Sequence, residues 1–588
     1  MPVESLPIFA YYDKQRFTQF GAMDCANWYH MQVSGGKKKQ ALYPAMGRRH
    51  VVSFGQNKLI FDSEPTALFK TVNFAYIIVG TRVIQIDKFF NEIVIGNIPL
   101  GKKVWFDFLP VGDTIYAMLT AETNIYLITE TPAAVTMVEI TDPLRPSKPA
   151  FVASFGNRFV VSQRDSPDYY VSAINVADLS NPATSFTVNG SSMVNRASGV
   201  IGQMTVLHNQ LYILCDYKTD VWSNIQTQLP VAGGGFKTFP FKLNSSYNWN
   251  YGIADPFSLS RDYGMMTWLA RNTSGAVTFM SSNGQQPEEI SSEAINVLLE
   301  QSVVEDGLSP FQSGNANGFL YQYEKTIFYR VSAGKYRDFG NLDINESANC
   351  IEYNFSTKTW SRATELNGER NRIQKHVYFN SRHLVTVSGD SAMYQMAGNI
   401  YRNELRTPNT TTQAVNAFTK YPMRYSLVTE HIFLEDYSEF ITDYVEIDFV
   451  FGDRTFYESE APFDNTIFII AEDGDPACPV FLIAEDQANA NDVFLIMEEG
   501  NTPGFNDNHY NKLFKPHIEL YYSDDGGITF ITADLERFSP LGQHRWRMRW
   551  YELGASRNRC YKLVCVSSAP IVVLGAVQNI RRASGGGN

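Results

Sequence analysis

"VGDTIYAMLTAETNIYLIT", residues 111–129, turns twice and runs apolar twice. Gly112-Asp113 and Glu122-Thr123-Asn124 are turn formers, and the runs between them are strand-length and rich in Ile, Thr and Tyr. The same outline recurs in "VNFAYIIVGTRVIQI" (72–86), "FGNRFVVSQRDSPDYYVSAI" (155–174) and "LHNQLYILCDYKTDVWS" (207–223). It continues in "GAVTFMSSNGQQPEEIS" (275–291), "KTIFYRVS" with "NCIEYNFSTKTWSRA" (325–363) and "NSRHLVTVSGDSAMYQM" (380–396). Hairpins returning every 30 to 60 residues or so have the scale of propeller blades. They predict an all-β chain with an irregular β-propeller of six or seven blades over 60–405. Trp360 falls near the end of an outer strand. "SSEAINVLLEQSV" (291–303) predicts a blade-connecting helix capped by Ser292.

The texture changes after Thr407. "YVEIDFVFG" (444–452) and "HIELYYSDDGGITFITADLERF" (517–538) alternate like strands of a sandwich or barrel, so 406–588 is expected to be a separate β domain. Residues 1–59 are expected to form an N-terminal arm and platform strands. Inside the C-terminal domain, about 464–505 reads as an inserted β element. There "TIFIIAEDGDPACPVFLIAEDQANANDVFLIMEEG" (466–500) places Phe468, Phe481 and Phe494 thirteen residues apart, each in an apolar block followed by acids, with eight carboxylates and no Lys or Arg. The repeat is expected either to project from the domain as its own β element, at a channel mouth or an outer rim, or to be a solvated surface decoration whose acids only prevent edge-to-edge aggregation.

The 588 residues include 32 Tyr and 40 Phe, a balance that favours sheet over helix. The six Cys lack both a disulfide framework and zinc-site spacing. No signal peptide and no apolar run long enough for a membrane helix is expected. A formal charge of −12 argues against a general nucleic-acid coat. The charge is uneven, with no acid between Asp24 and Asp62, where Lys37, Lys38, Lys39, Arg48 and Arg49 fall.

No catalytic constellation is legible. None of the nine His forms H-x-x-H, H-E-x-x-H or a Cys/His cluster, Gly233–Gly235 lacks the rest of a phosphate loop, and Glu472–Asp475 lacks calcium-loop spacing. No enzyme activity, cofactor or metal is therefore expected. Ser523, Asp525, Gly527, Thr529 and Phe530 fit an Asp-box, whose side chains satisfy the amides of a turn. The densest constellation is "QHRWRMRWYELGASRNRCYKLVC" (543–565). Arg545, Arg547 and Arg549 alternate with Trp546, Met548 and Trp550, which on a strand puts arginines on one face and apolar groups on the other. Arg557 and Arg559 follow a Leu-Gly corner. Such a cluster grips phosphate and bases or pairs with carboxylates of a neighbouring subunit, and interface enrichment in Trp and Arg favours the second. Together with Lys37–Lys39, Arg48 and Arg49 it forms the expected subunit or adaptor interface.

The run from Leu520 to Arg582 resembles the end of the packaged-DNA-stabilisation proteins of short-tailed bacteriophages, also called tail hub, nozzle or tail accessory proteins. The shared outline is a strand and D-G turn, a basic segment with Trp, a Leu-Gly corner followed by arginines, and a closing apolar strand. "MPVESLPIF" with "ALYPAMGRRHVVSFG", "GVIGQMTVLHNQLYILCDYKTDVWS" and "SGAVTFMSSNGQQPEEISSEAINVLL" resemble earlier segments of that family in the same order. The 466–500 repeat departs from its pattern. The resemblance implies a propeller-bearing subunit of a hexameric ring below the portal and its adaptor. That ring extends the DNA channel, touches double-stranded DNA transiently and helps retain the genome. It anchors a plug or needle and spikes or fibres, in a virion tail assembled in the host cytoplasm. An acidic channel wall would repel phosphate over about a Debye length, roughly 8 Å. The alternative, suggested by the Asp-box and the propeller pattern, is a glycan-binding or sialidase-like glycan-hydrolysing tail protein.

Overall fold

The computed structural model describes residues 3–15, 21–32, 40–54, 65–101, 104–174, 176–188, 191–231, 235–247, 249–301, 316–333, 349–406, 418–451, 517–534 and 545–582. The 466–500 repeat and Lys37, Lys38 and Lys39 lie outside these residues.

Among the described residues the hairpins assemble into seven antiparallel blades, six of four strands and one, the fifth, of five. The first uses Pro65–Lys70, Ala75–Val79, Arg82–Ile86 and Glu92–Asn97 in chain order from the centre outward, and five more follow along the chain up to Arg362. The seventh is split. Its three inner strands are Ile373–Phe379, Arg382–Val387 and Ala392–Ala397, and its outer strand is Gly47–Ser53, from the far end of the sequence. The ring closes because blade seven packs on blade one. Val377, Phe379, Leu384 and Met393 bury against Leu68, Ile77, Ile84 and Ile86. Each of the other six junctions has its own apolar cluster. No blade can bury both faces alone, so closure is the condition for the rest.

The expected helix runs Glu293–Gln301 and connects blades five and six. Ser292 Oγ accepts the Ile295 amide (3.3 Å), and Ala294, Ile295 and Leu299 are buried in the junction core. Trp360, on the outer strand Thr359–Arg362 of blade six, donates from Nε1 to the Ile290 carbonyl at 2.7 Å.

Side chains meet across the centre of the ring. Trp105 on the inner strand of blade two stacks on Phe257 of blade five with centroids 4.5 Å apart, and Phe151 of blade three packs on Trp105 at 4.9 Å. The Lys375 ammonium of blade seven lies 4.2 Å over the Phe257 ring. Blades two, five and seven are not neighbours, so these contacts reach across the centre.

Beside the propeller stands a two-sheet sandwich. One sheet holds Trp28–Gln32, Gln40–Pro44, Ile571–Arg582, Phe440–Phe451 and Arg545–Tyr551, with Val3–Leu6 also paired to Ile571–Arg582. The other holds Ala22–Ala26, Phe418–Val428, Cys560–Ser567, His517–Ser523 and Ile531–Asp534. The N-terminal strands are thus built into sheets with C-terminal ones. Trp28 sits in the sandwich core, donates to the Ile571 carbonyl (2.8 Å) and stacks on Tyr425.

The second sheet runs on into the propeller. Ala22–Ala26 meets the outer strand of blade six, and Phe418–Val428 joins blade seven's Gly47–Ser53 through Arg402–Arg406. Arg48 is the pin of this joint. It is 1% exposed and bidentate to Glu365, at 2.6 and 3.0 Å. Glu365 also accepts the Arg372 amide at 2.9 Å. Arg48 therefore has no surface to offer another subunit, contrary to the sequence expectation, because a buried guanidinium must be paired within its own chain. Arg49 is half-buried and donates to Gln395 at 3.2 Å.

Removing one partner of a buried ion pair leaves the other charge unpaired, at a cost of about 3–5 kcal/mol. Arg48→Ala is expected to lower the unfolding free energy by about that amount, seen as a lower urea midpoint, and to loosen blade seven. Urea titration with hydrogen exchange on 47–53 checks both. An unchanged midpoint would show that closure does not depend on this pair.

Candidate interface site

The strand Arg545–Tyr551 is where the structure tests the Arg/Trp alternation. It pairs antiparallel with Phe440–Phe451, register Val450↔Arg545 to Tyr444↔Tyr551. Met548 and Trp550 are buried in the sandwich core and Trp546 packs at its margin. Arg545, Arg547 and Arg549 stand on the outer face, their side chains 54%, 64% and 42% exposed. Trp550, 1% exposed, is core and not an interface residue as expected, because period two turns it inward.

The partner strand has its own alternation. Val445, Ile447 and Phe449 point into the core, and Glu446 and Asp448 point out under the arginines. Arg545 is bidentate to Asp448, with Nε at 3.0 Å and Nη2 at 2.6 Å. Arg549 donates to Glu446 from Nε at 2.9 Å and from Nη2, and lies 4.5 Å over the Tyr444 ring. Arg547 comes only within 3.6 Å of the same Glu446. Among the described residues three guanidiniums thus meet these two carboxylates. Hydrogen bonds to the carboxylates raise the pKa of Arg545 and Arg549, which keeps both charged. "YVEIDFVFG" carried this signal: acids at period two are the complement of arginines at period two.

These groups border a groove of about 750 Å³ on the outer face of the sheet. Leu6 and Phe9 from the N-terminal segment, Tyr444, Glu446, Arg547 and Arg549 line it. The ladder between Phe440–Phe451 and Ile571–Arg582 shifts register beside Asp448, leaving Leu574 without a partner residue at the groove. Among the described residues Arg545–Tyr551 ends its sheet, so its outer row of backbone groups faces no described strand.

Arg559 departs from expectation. It is 1% exposed, bidentate to Asp524 at 2.7 and 2.8 Å and 4.6 Å over Tyr522. It locks the Leu-Gly corner to the neighbouring turn and presents nothing outward. Arg557 is exposed.

That neighbouring turn is the Asp-box. Ser523 Oγ accepts the Gly527 amide (2.9 Å) and donates to Asp525 (2.7 Å). Asp525 accepts the amides of Ile528 and Thr529 at 3.0 Å and the Thr529 hydroxyl. Gly526 and Gly527 take φ of 85° and 83°, which side chains disfavour. Phe530 packs near Lys562, whose ammonium is 5.2 Å from the ring. Among the described residues no group of three His, Cys, Asp or Glu is arranged to hold a metal.

The donors around Asp525, led by the Thr529 and Ser523 side chains, hold its carboxyl well below the usual range. A carboxylate with a depressed folded pKa stabilises fully above its unfolded pKa, about 3.9. Its contribution is expected to fade as pH falls below that value. Local hydrogen exchange at 523–531, compared between pH 5 and 3, should show the turn loosening in wild type. Asp525→Asn should remove the pH step. An equal step in that variant would assign the effect elsewhere.

Residues 65–309 match the family described as bacteriophage P22 Gp10, β-propeller. The segment covers blades one to five and the helix after them. Over it, the resemblance to phage packaged-DNA-stabilisation proteins stands, and the family is a structural one. No curated protein matches the chain. Solved structures are only distantly similar. The extracellular domain of the hybrid two-component system BT4673 from B. thetaiotaomicron has a TM-score of 0.29 at 10% identity, covering 60% of this chain and 39% of that one. The Neurospora crassa Pan2 WD40 domain has 0.29 at 6%, covering 67% and 96%. A chain of the nidogen/laminin complex has 0.26 at 11%, covering 50% and 94%. At such scores none of them bears on function.

Proposed function

We propose that the chain is a subunit of a phage tail ring, hexameric by the family resemblance. The ring sits below the portal and its adaptor, extends the DNA channel, retains the packaged genome and anchors distal tail parts until ejection. The observation that carries this reading is the match of 65–309 to a phage packaged-DNA-stabilisation propeller. The contacts of Trp105, Phe257 and Lys375 across the propeller centre agree with a conduit that lies between copies. In this reading the outer face of Arg545–Tyr551, with Arg557 beside it, contacts a neighbouring copy or the adaptor, together with the basic stretch around Lys37–Lys39 and Arg49. The glycan-hydrolase alternative gains nothing from the fold, because the Asp-box lies in the sandwich and spends its carboxylate on its own turn.

Electron microscopy of purified protein or of virions is expected to show a six-fold ring with propellers and sandwiches around an open axis. Monomers without rotational order in both preparations would overturn the reading.

The free protein is expected to bind duplex DNA weakly at physiological salt, since channel passage requires contact without retention on the wall. Fluorescence anisotropy with a labelled duplex measures this. A submicromolar, salt-sensitive Kd would contradict a sliding contact.

A further inference from the structure

The arginines buried most deeply in this chain are held by carboxylates: Arg48 by Glu365, Arg330 by Glu352 and Arg559 by Asp524. Two cations on the outer face of the sandwich's second sheet break that pattern. Along Phe418–Val428, Met423, Tyr425 and Leu427 enter the core, so period two turns Arg424 outward. Along the adjacent Cys560–Ser567, Tyr561, Leu563 and Cys565 enter it and Lys562 turns to the same outer face. Both are half-buried. Among the described residues neither charged group has a hydrogen-bond or ion-pair partner.

The carboxylates nearby are engaged elsewhere. Asp24 takes the Arg362 guanidinium, with Nε at 2.8 Å, and Glu519 accepts the Tyr521 hydroxyl at 2.5 Å. Arg362, Asp24 and Glu519 act on both Arg424 and Lys562, so three cations stand among two carboxylates. Burial first, and then a neighbouring guanidinium, lowers the pKa of each group. The propeller turn at Gly368, with φ of 86°, seats so closely on the guanidinium that a Cβ there would overlap Arg424 Nη1. The rings of Tyr521 and Phe530 lie 5.8 and 5.2 Å from the Lys562 ammonium.

We propose that this recess, between the second sheet and the propeller turn at Gly368, binds a phosphate group on Arg424 and Lys562. The inference is independent of the ring reading. A half-buried guanidinium that keeps its proton and finds no acceptor in its own chain is completed by an anion. Arg supplies a planar fork of donors and Lys a point charge, the two groups that hold phosphate. Phosphate carries about −1.5 to −2 at neutral pH and presents oxygens in several directions, so one group meets donors arriving from two strands. A free phosphate ion and the phosphorylated end of a DNA strand offer the same chemistry. A single contact of this kind leaves duplex affinity weak, as expected above.

The test uses full-length wild type, Arg424→Met, Lys562→Met and Arg424→Lys. Isothermal titration calorimetry and thermal melting compare inorganic phosphate with sodium acetate and sodium chloride at equal ionic strength. Phosphate is expected to bind wild type with a submillimolar Kd and to raise its Tm, as a ligand of the folded state does, while acetate and chloride do neither. Each Met variant should lose at least about tenfold in affinity, the loss of one charged donor. Its Tm in phosphate-free buffer should be unchanged or higher, because an unpaired charge has given way to an apolar side chain. Arg424→Lys keeps the charge but not the fork, so it should bind more weakly than wild type and more tightly than Arg424→Met. That variant carries the comparison where a Met variant does not fold. A 5′-phosphorylated single strand, titrated beside the same strand without its phosphate, identifies the source. Preference for the phosphorylated strand assigns the site to a DNA end, and equal weak binding of both assigns it to the free ion. A wild type that binds no phosphate, equal Tm rises in phosphate and acetate, or folded variants that bind phosphate like wild type would overturn the inference.

Discussion

Arg48 sits where three parts of the molecule meet. The strand that carries it is the outer strand of blade seven, its side chain is held by Glu365 just beyond blade six, and its backbone neighbour Asn403 leads into the sandwich. Closing a ring of blades with the far end of the chain defers a large loop-closure cost until some 350 residues are in place. The apolar junction of blades seven and one is what offsets it, while the bidentate pair fixes which strand closes the ring. Blades one to six could stack without the N-terminus, but an unclosed seventh blade would leave two broad apolar faces in water.

Buried ion pairs recur around this joint. Arg330 and Glu352 face each other at 2.7 Å, both nearly unexposed, with the Tyr321 hydroxyl on the same carboxylate at 2.6 Å. Arg362 pairs with Asp24 where the N-terminal strand meets blade six, and Arg559 with Asp524 in the sandwich. Such pairs are weak sources of net stability, because desolvation takes back most of the Coulomb gain. Their geometry, however, is exacting. Arg362–Asp24 and Arg48–Glu365 couple segments 338 and 317 residues apart, so they fix which strand meets which where apolar contact alone would tolerate a shifted register.

That distinction explains what was legible in the sequence. Turn chemistry and strand-length apolar runs marked the hairpins of the propeller, and the capped helix after blade five was found for the same local reasons. Period-two alternation correctly turned Arg545, Arg547 and Arg549 to one face. The long-range choices were not legible. Nothing local in "AMGRRHV" (45–51) distinguishes a solvated arginine from a buried one, and the partner of Arg48 lies 317 residues away. Reading "AMGRRHVVS" as surface charge therefore failed at Arg48, and a cluster reading of the C-terminal arginines failed at Arg559. The split seventh blade and the N-terminal strands of the sandwich were hidden for the same reason. Strand pairing between the two ends of a chain leaves no periodic trace at either end.

Charge placement constrains how such a subunit handles DNA more than net charge does. Residues 452–516 carry −10 of formal charge and residues 60–405 another −6, while residues 1–59 carry +5, so the total of −12 describes no single surface. An acidic wall repels phosphate only within about a Debye length, roughly 8 Å, so what the duplex meets depends on which of these parts lines the channel.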